Sequence, residues 1–261
     1  MIAIDQSGSG EPLVLLHGVG ASRVVWQPVT ALLASRRLVI VPDLPGFGES
    51  APAGPGFDLE RTALALAGPL AERAGGRFDL VGNSLGGAVA VELATARPDL
   101  VRRLVLSAPA GFSAPRPTLA AAAGRLLGPI TTLRRIVGAP LAGSAAVRCV
   151  LLYGAIAEPQ RLPADDARMM LEASRGSSRI GAAVEAVLRA DLRPLLTQVE
   201  APLGLIWGTH DRVVPIAALE SIRAVRPDVV VETLGDAAHV PQLEHPVEFV
   251  AALRRVLERL V

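Results

Sequence analysis

Six short apolar runs punctuate the chain, at 13–16, 38–41, 80–81, 104–106, 203–207 and 229–231. Each is rich in Leu, Val or Ile and is stopped by Gly, Pro, His or Ser. Runs of this length without polar alternation predict strands buried on both faces, as in a parallel sheet. Between most of them lie stretches with helical spacing. Small and apolar residues continue from Leu85 until Pro98. At the other end, Val250, Leu253, Leu257 and Leu260 share one helical face, with Arg254, Arg255, Glu258 and Arg259 off it. Segment 58–74 also reads as a helix, with Pro69 expected to kink or end it. Alternation of strand and helix predicts an α/β fold, a mostly parallel central sheet flanked by helices.

That rhythm fails between about 114 and 191. No strand-like run occurs there, whereas Leu119, Ala123, Leu126, Leu127, Ile130, Leu133 and Val137 recur at helical spacing. The pattern predicts a helical cap inserted at 114–191, between a first core part at 1–113 and a second at 192–261. Stretch 119–137, with Arg125, Arg134 and Arg135, fits a helix on a membrane surface as well as one covering a pocket. The cap is the preferred reading, so membrane contact is not expected.

Composition narrows the chemistry. The 261 residues are 51% hydrophobic, enough for a substantial core, and no uninterrupted run reaches the length of a membrane span. The start of the chain lacks the basic and apolar regions of a secretory signal. One cysteine, Cys149, can form no internal disulfide, which suits the cytoplasm. All 26 basic residues are Arg, against 25 acidic ones, for a net charge of +1. There is no basic block interleaved with aromatics, so nucleic acid is not an expected partner. Without Lys there is no Schiff-base or phosphate-loop chemistry. The four His and one Cys are too scattered for a metal site, and no cofactor is implied.

One stretch stands out against this background. Gly82-Asn83-Ser84-Leu85-Gly86 matches G-x-S-x-G, with a strand before it and a small-residue helix after it. In that context the motif is a sharp turn that lifts a serine hydroxyl above the sheet edge. It also sets the Leu85 amide at a helix N-terminus, facing a developing oxyanion. A hydroxyl attacks only when a base takes its proton. His239, on the loop after the last strand, is the candidate base. Asp211, on the loop after run 203–207, is the candidate to orient it, with Asp236 as a reserve. The loop after 104–106 offers no acid. His17-Gly18-Val19-Gly20 follows the first apolar run, and the Val19 amide is the candidate second oxyanion donor. His17, His210 and His245 read as structural residues.

These pieces resemble the α/β-hydrolase superfamily. The resemblance rests on Leu15-Leu16-His17-Gly18, Asp43-Leu44-Pro45-Gly46-Phe47-Gly48-Glu49-Ser50, the turn at Ser84, Gly208 to Pro215, and His239-Val240-Pro241, in that order. It implies an eight-stranded sheet with a cap after the sixth strand, and a first strand abbreviated or missing because the N-terminus is short. Ser84 stands where epoxide hydrolases and haloalkane dehalogenases of the superfamily use Asp. The Ser84 turn also resembles that of meta-cleavage C–C hydrolases, but Val240 stands where those usually carry Trp, and their Gly-rich extension of the first loop is absent. The leading expectation is a serine hydrolase of carboxylic esters or lactones acting on a small-molecule substrate with an apolar acyl group. The alternatives are C–C cleavage of a β-diketone-like acid, anchored by Arg148, Arg175, Arg179 or Arg189, and a ligand-binding or signalling protein on the same scaffold.

Overall fold

The computed structural model describes residues 1–260. In chain order, β1 (Ile4–Ser7), β2 (Glu11–Leu16), α1 (Gln27–Leu33), β3 (Arg37–Pro42), α2 (Leu59–Ala74), β4 (Phe78–Asn83), α3 (Leu85–Ala96) and β5 (Val101–Ser107) form the first part. Helices α4 (Pro117–Leu133), α5 (Ala145–Leu151), α6 (Ala164–Glu172), α7 (Ile180–Arg189) and α8 (Arg193–Leu196) follow. The chain then returns through β6 (Leu203–Gly208), α9 (Ala218–Arg223), β7 (Val230–Leu234), α10 (Pro241–Glu244) and α11 (Pro246–Arg259).

Five of the six apolar runs fall within strands and the sixth, 229–231, begins one residue before β7; these six strands pair in parallel. The sheet order is β1-β3-β2-β4-β5-β6-β7. Seven strands stand where the resemblance implied eight, and the helical segment follows the fifth strand of this chain. Strand β1 left no apolar signature because Ile4-Asp5-Gln6-Ser7 is an antiparallel edge, paired only with β3 and exposed over most of its length.

Side chains alternate across the sheet, as the two-residue period of a strand requires. Val14, Leu16 and Ile40 face α2, α3 and α9. Leu13, Leu15, Val39 and Val41 face α1 and α11, where Trp26 and Phe249 are buried. The parallel strands end level with one another: Leu16 is opposite Gly82, Asn83 opposite Ser107, and Gly208 opposite Leu234. Loops leaving that edge are therefore neighbours, and ligands of open α/β sheets bind at such an edge.

Pro69 neither kinks α2 to a stop nor ends it; the helix runs through to Ala74. Gly68 is exposed and Pro69 half-buried, so the Ala65 carbonyl left without its donor is on the watered side. Leu66 and Leu70 pin the opposite side in the core.

Helix α4 departs from the expectation in a more informative way. Leu126 and Leu133 are 59% and 62% exposed, and Leu119, Ile130 and Val137 also face outward. Its inward face is Ala120, Leu127, Thr131 and Arg134. Most of the apolar stripe read from the sequence thus faces outward, with Leu127 the exception, and the pocket side sets Leu127 beside small and polar residues. The crossing of α4 over α7 explains the small residues. A Cβ on Gly181 would run into the Gly124 carbonyl, so the two backbones touch where neither has a side chain.

Candidate active site

The turn between β4 and α3 holds Ser84 at φ +55°, ψ −118°, a left-handed conformation costly for a residue with a Cβ. The surroundings enforce it. A Cβ on Gly82 would strike the Gly86 carbonyl, and one on Gly86 would strike that of Leu16. The Ser84 amide donates to the Ser107 carbonyl (3.0 Å), and the Ser84 carbonyl accepts from Gly87 and Ala110 (3.0 and 3.1 Å). The hydroxyl bonds to no protein group and opens into a cavity of about 290 Å³.

Asp211 and His239 are brought together over 28 residues. His239 Nδ1–H donates to Asp211 Oδ2 at 2.8 Å, with both groups buried. The other carboxylate oxygen accepts the Val213 and Val214 amides (2.8 and 2.9 Å). Trp207 Nε1–H, donating to the Val214 carbonyl (3.1 Å), fastens that turn to β6. A carboxylate accepting three hydrogen bonds fixes the proton on Nδ1 and leaves Nε2 as a free acceptor. His239 lines the same cavity as Ser84, and no hydrogen bond joins the two. Such bonds often close only around substrate.

The loop after β2 crosses close by. A Cβ on Gly18 would lie 3.2 Å from the Ser84 Cβ. Val19 lines the cavity, and neither its amide nor that of Leu85 donates to a protein acceptor. Leu85 opens α3, so its N–H has no partner within the helix. His17 lies under this loop. Its Nδ1–H donates to the Gly18 carbonyl (2.8 Å), and its Nε2 accepts the Leu44 amide (2.9 Å). Complete burial lowers its pKa, which the Gly18 carbonyl and Asp43 only partly offset. Asp43 accepts the Arg23 and Glu49 amides (2.7 and 2.8 Å) and pairs with the Arg23 guanidinium, which ties stretch 43–50 to the loop.

The remaining candidates lie elsewhere. Asp236 is exposed, and its carbonyl accepts from His245 Nε2–H (3.0 Å). His210 is exposed as well. None of the four arginines considered as a carboxylate anchor lines the cavity. Arg148 donates to the carbonyls of Ala142, Gly143, Pro159 and Gln160, Arg175 pairs with Glu172, Arg189 pairs with Glu185, and Arg179 reaches the Gly54 carbonyl. The cation in the lining is Arg134.

Three supporting residues escaped the sequence reading. Asn83 Nδ2 donates to the carbonyls of Ser107 and His239 (3.1 and 3.0 Å), linking the serine turn to the histidine loop. Gln242 Nε2 donates to Asn83 Oδ1 (3.3 Å). Glu244 accepts the Ala157 and Ala238 amides (2.7 and 2.9 Å), joining segment 114–191 to the histidine loop. A buried amide inside an apolar strand was the available signal for Asn83. Gln242 and Glu244 had none.

Residues 13–253 match the family model described as the alpha/beta hydrolase family. The pimeloyl-[acyl-carrier protein] methyl ester esterase of Aromatoleum aromaticum is 35% identical over 251 residues, covering 90% of this chain and 93% of that protein. A thermophilic esterase from Thermogutta terrifontis has 26% identity and a TM-score of 0.76, covering 99% of this chain and 93% of that one. An esterase from Exiguobacterium antarcticum superposes with a TM-score of 0.81 at 20% identity, covering 98% and 95%, a likeness of fold alone.

Proposed function

Because this chain belongs to the alpha/beta hydrolase family, with carboxylic ester hydrolases among its relatives, we propose that it hydrolyses carboxylic esters through an acyl-enzyme on Ser84. His239 Nε2 takes the Ser84 proton as the hydroxyl oxygen attacks the acyl carbon. The imidazolium then gives that proton to the leaving alcohol. Water attacks the acyl-enzyme, His239 again acts as base, and the free acid leaves. Asp211 holds the imidazole in the Nδ1–H tautomer and stabilises it when charged. The Val19 and Leu85 amides hold the oxyanion, a role that suits two unpaired N–H groups beside the serine. The observation that carries the reading is the 2.8 Å Asp211–His239 pair opening on the same cavity as a strained, unpartnered serine.

The cavity wall of Val25, Leu127, Leu152, Met170, Leu171 and Val184 suits an apolar acyl chain, with the Met side chain able to adapt to its shape. A lactone would open by the same steps. Segment 114–191 is the cap in this reading, closing the cavity over the sheet edge.

Hydrolysis of p-nitrophenyl esters of increasing acyl length, by the wild type and by Ser84→Ala, tests this. Turnover with a length optimum is expected, reduced about 10⁴-fold or more in the variant. Equal turnover by the two proteins, or none by the folded wild type at any length, would overturn it.

A further inference from the structure

The cavity lining contains six side chains with polar groups: Asn83, Ser84, Thr131, Arg134, Ser174 and His239. Three are committed within the protein. Asn83 spans two carbonyls, Thr131 Oγ1 donates to the Leu127 carbonyl (2.7 Å), and Ser174 Oγ donates to the Leu171 carbonyl (3.0 Å). Ser84 and His239 belong to the proposed chemistry. Arg134 is what remains. Among the described residues its guanidinium makes no hydrogen bond or ion pair. Burial alone lowers its pKa, with no acidic neighbour to raise it. Elsewhere in segment 114–191, the guanidinium groups of Arg148, Arg161, Arg168, Arg175 and Arg189 each have carbonyl or carboxylate partners, whereas those of Arg116, Arg125 and Arg135 have none among the described residues but lie outside the cavity lining.

A guanidinium has five donors in a rigid fork that fits an oxyanion in two bonds. Holding it half-buried in an apolar wall without a partner is costly unless a ligand supplies one. Its backbone setting is also irregular. The regular turns of α4 end at Arg134, where a π-helical turn runs from Arg134 to Gly138. Such turns are rare and concentrate at functional sites. Thr131 lies opposite Gly20 of the loop after β2, and Arg134 stands one turn further along, roughly 4.5 Å of helix rise.

We propose that Arg134 anchors an oxyanion, a carboxylate or a phosphate, carried by the substrate away from the scissile ester. The enzyme then selects anionic esters over neutral esters of the same length. The inference rests on ester hydrolysis at Ser84.

The test compares methyl esters of one chain length ending in a carboxylate, a phosphate monoester or a methyl group. A second set places the same groups on the alcohol half. In at least one half, kcat/KM for an anionic ester is expected to exceed that for its neutral counterpart by about tenfold, mostly through KM, and the gap should shrink in high salt. Whether carboxylate or phosphate gains more identifies the oxyanion. In Arg134→Gln the ratio should fall to about one, and Arg134→Lys should keep part of it. Arg125→Gln, on the exposed side of α4, should leave the ratio intact. A ratio near one in the wild type for both halves would overturn the inference, as would an unchanged ratio in Arg134→Gln. Neutral-ester turnover that depends on Ser84 would persist in that outcome, whereas failure of the esterase reading would abolish it.

Discussion

Ser84 shows how a single residue can be legible in chemistry and still depend on neighbours that are not. Its flanking glycines reveal the turn, and their spacing marks Ser84 as the proposed nucleophile. Asp211 and His239 were assigned from the loops they occupy, and the structure brings them to 2.8 Å. What holds these side chains is less visible, because Asn83 and Gln242 act through contacts 156 and 159 residues distant in sequence. Asp79 likewise depends on partners distant in sequence, buried at the opposite end of β4 among Arg37, Arg102 and Arg103. Burial alone would raise its pKa, but the guanidinium groups of Arg103, Arg102 and Arg37 outweigh burial and hold it below 3.8. The folded state thus favours the ionised form. That contribution is fully present above 3.8 and is lost as pH falls through the lower folded value. Asp79→Asn should cost roughly 3 kcal/mol at neutral pH, because it strands three partly buried cations. Urea denaturation of both proteins at pH 7 and pH 3 checks this. The variant should lose stability at pH 7, and the gap should narrow at pH 3.

Among the elements, parallel strands and amphipathic helices were readable, and the exposed edge strand was not. Five of the six parallel strands announce themselves because both faces are covered over much of their length, and even the half-covered edge strand β7 begins in a Val run. Edge strand β1 has mostly exposed positions and leaves no such run. Helix α4 has apolar residues at helical spacing, yet spacing alone does not say which face turns inward. The decision lies with α7, which meets α4 backbone to backbone at Gly124 and Gly181 and so turns the small face inward. Short elements carry the link from segment 114–191 to the site. Val240 and Leu243 of the histidine loop and α10 pack with Leu152, Ile156 and Leu171 of that segment. The His239 amide donates to the Ala155 carbonyl (3.1 Å). Glu244 completes this join with two backbone amides. Glu244→Ala leaves those buried donors unpaired and should cost about 2 kcal/mol. Thermal unfolding should show a lower Tm, and kcat should fall more than KM rises as His239 loses its fixed position.

At the scale of the whole molecule, the sheet brings to one edge what the chain keeps far apart. Loops after β2, β4, β6 and β7 supply the amide, the serine, the carboxylate and the imidazole, and the helices after β5 enclose them. No helix among the described residues is long and apolar enough to cross a membrane. Ser84 opens into a cavity whose one unpartnered cation among the described residues, Arg134, comes from segment 114–191; under the proposals above, chemistry and selectivity arise from different parts of the chain. The most direct test of the chemistry is covalent trapping. The protein would be treated with a fluorophosphonate, digested, and analysed by mass spectrometry. The account predicts one adduct per chain, on Ser84, formed in step with loss of esterase activity and absent from Ser84→Ala. Full inactivation with the adduct on another residue, or esterase activity surviving complete modification of Ser84, would contradict it.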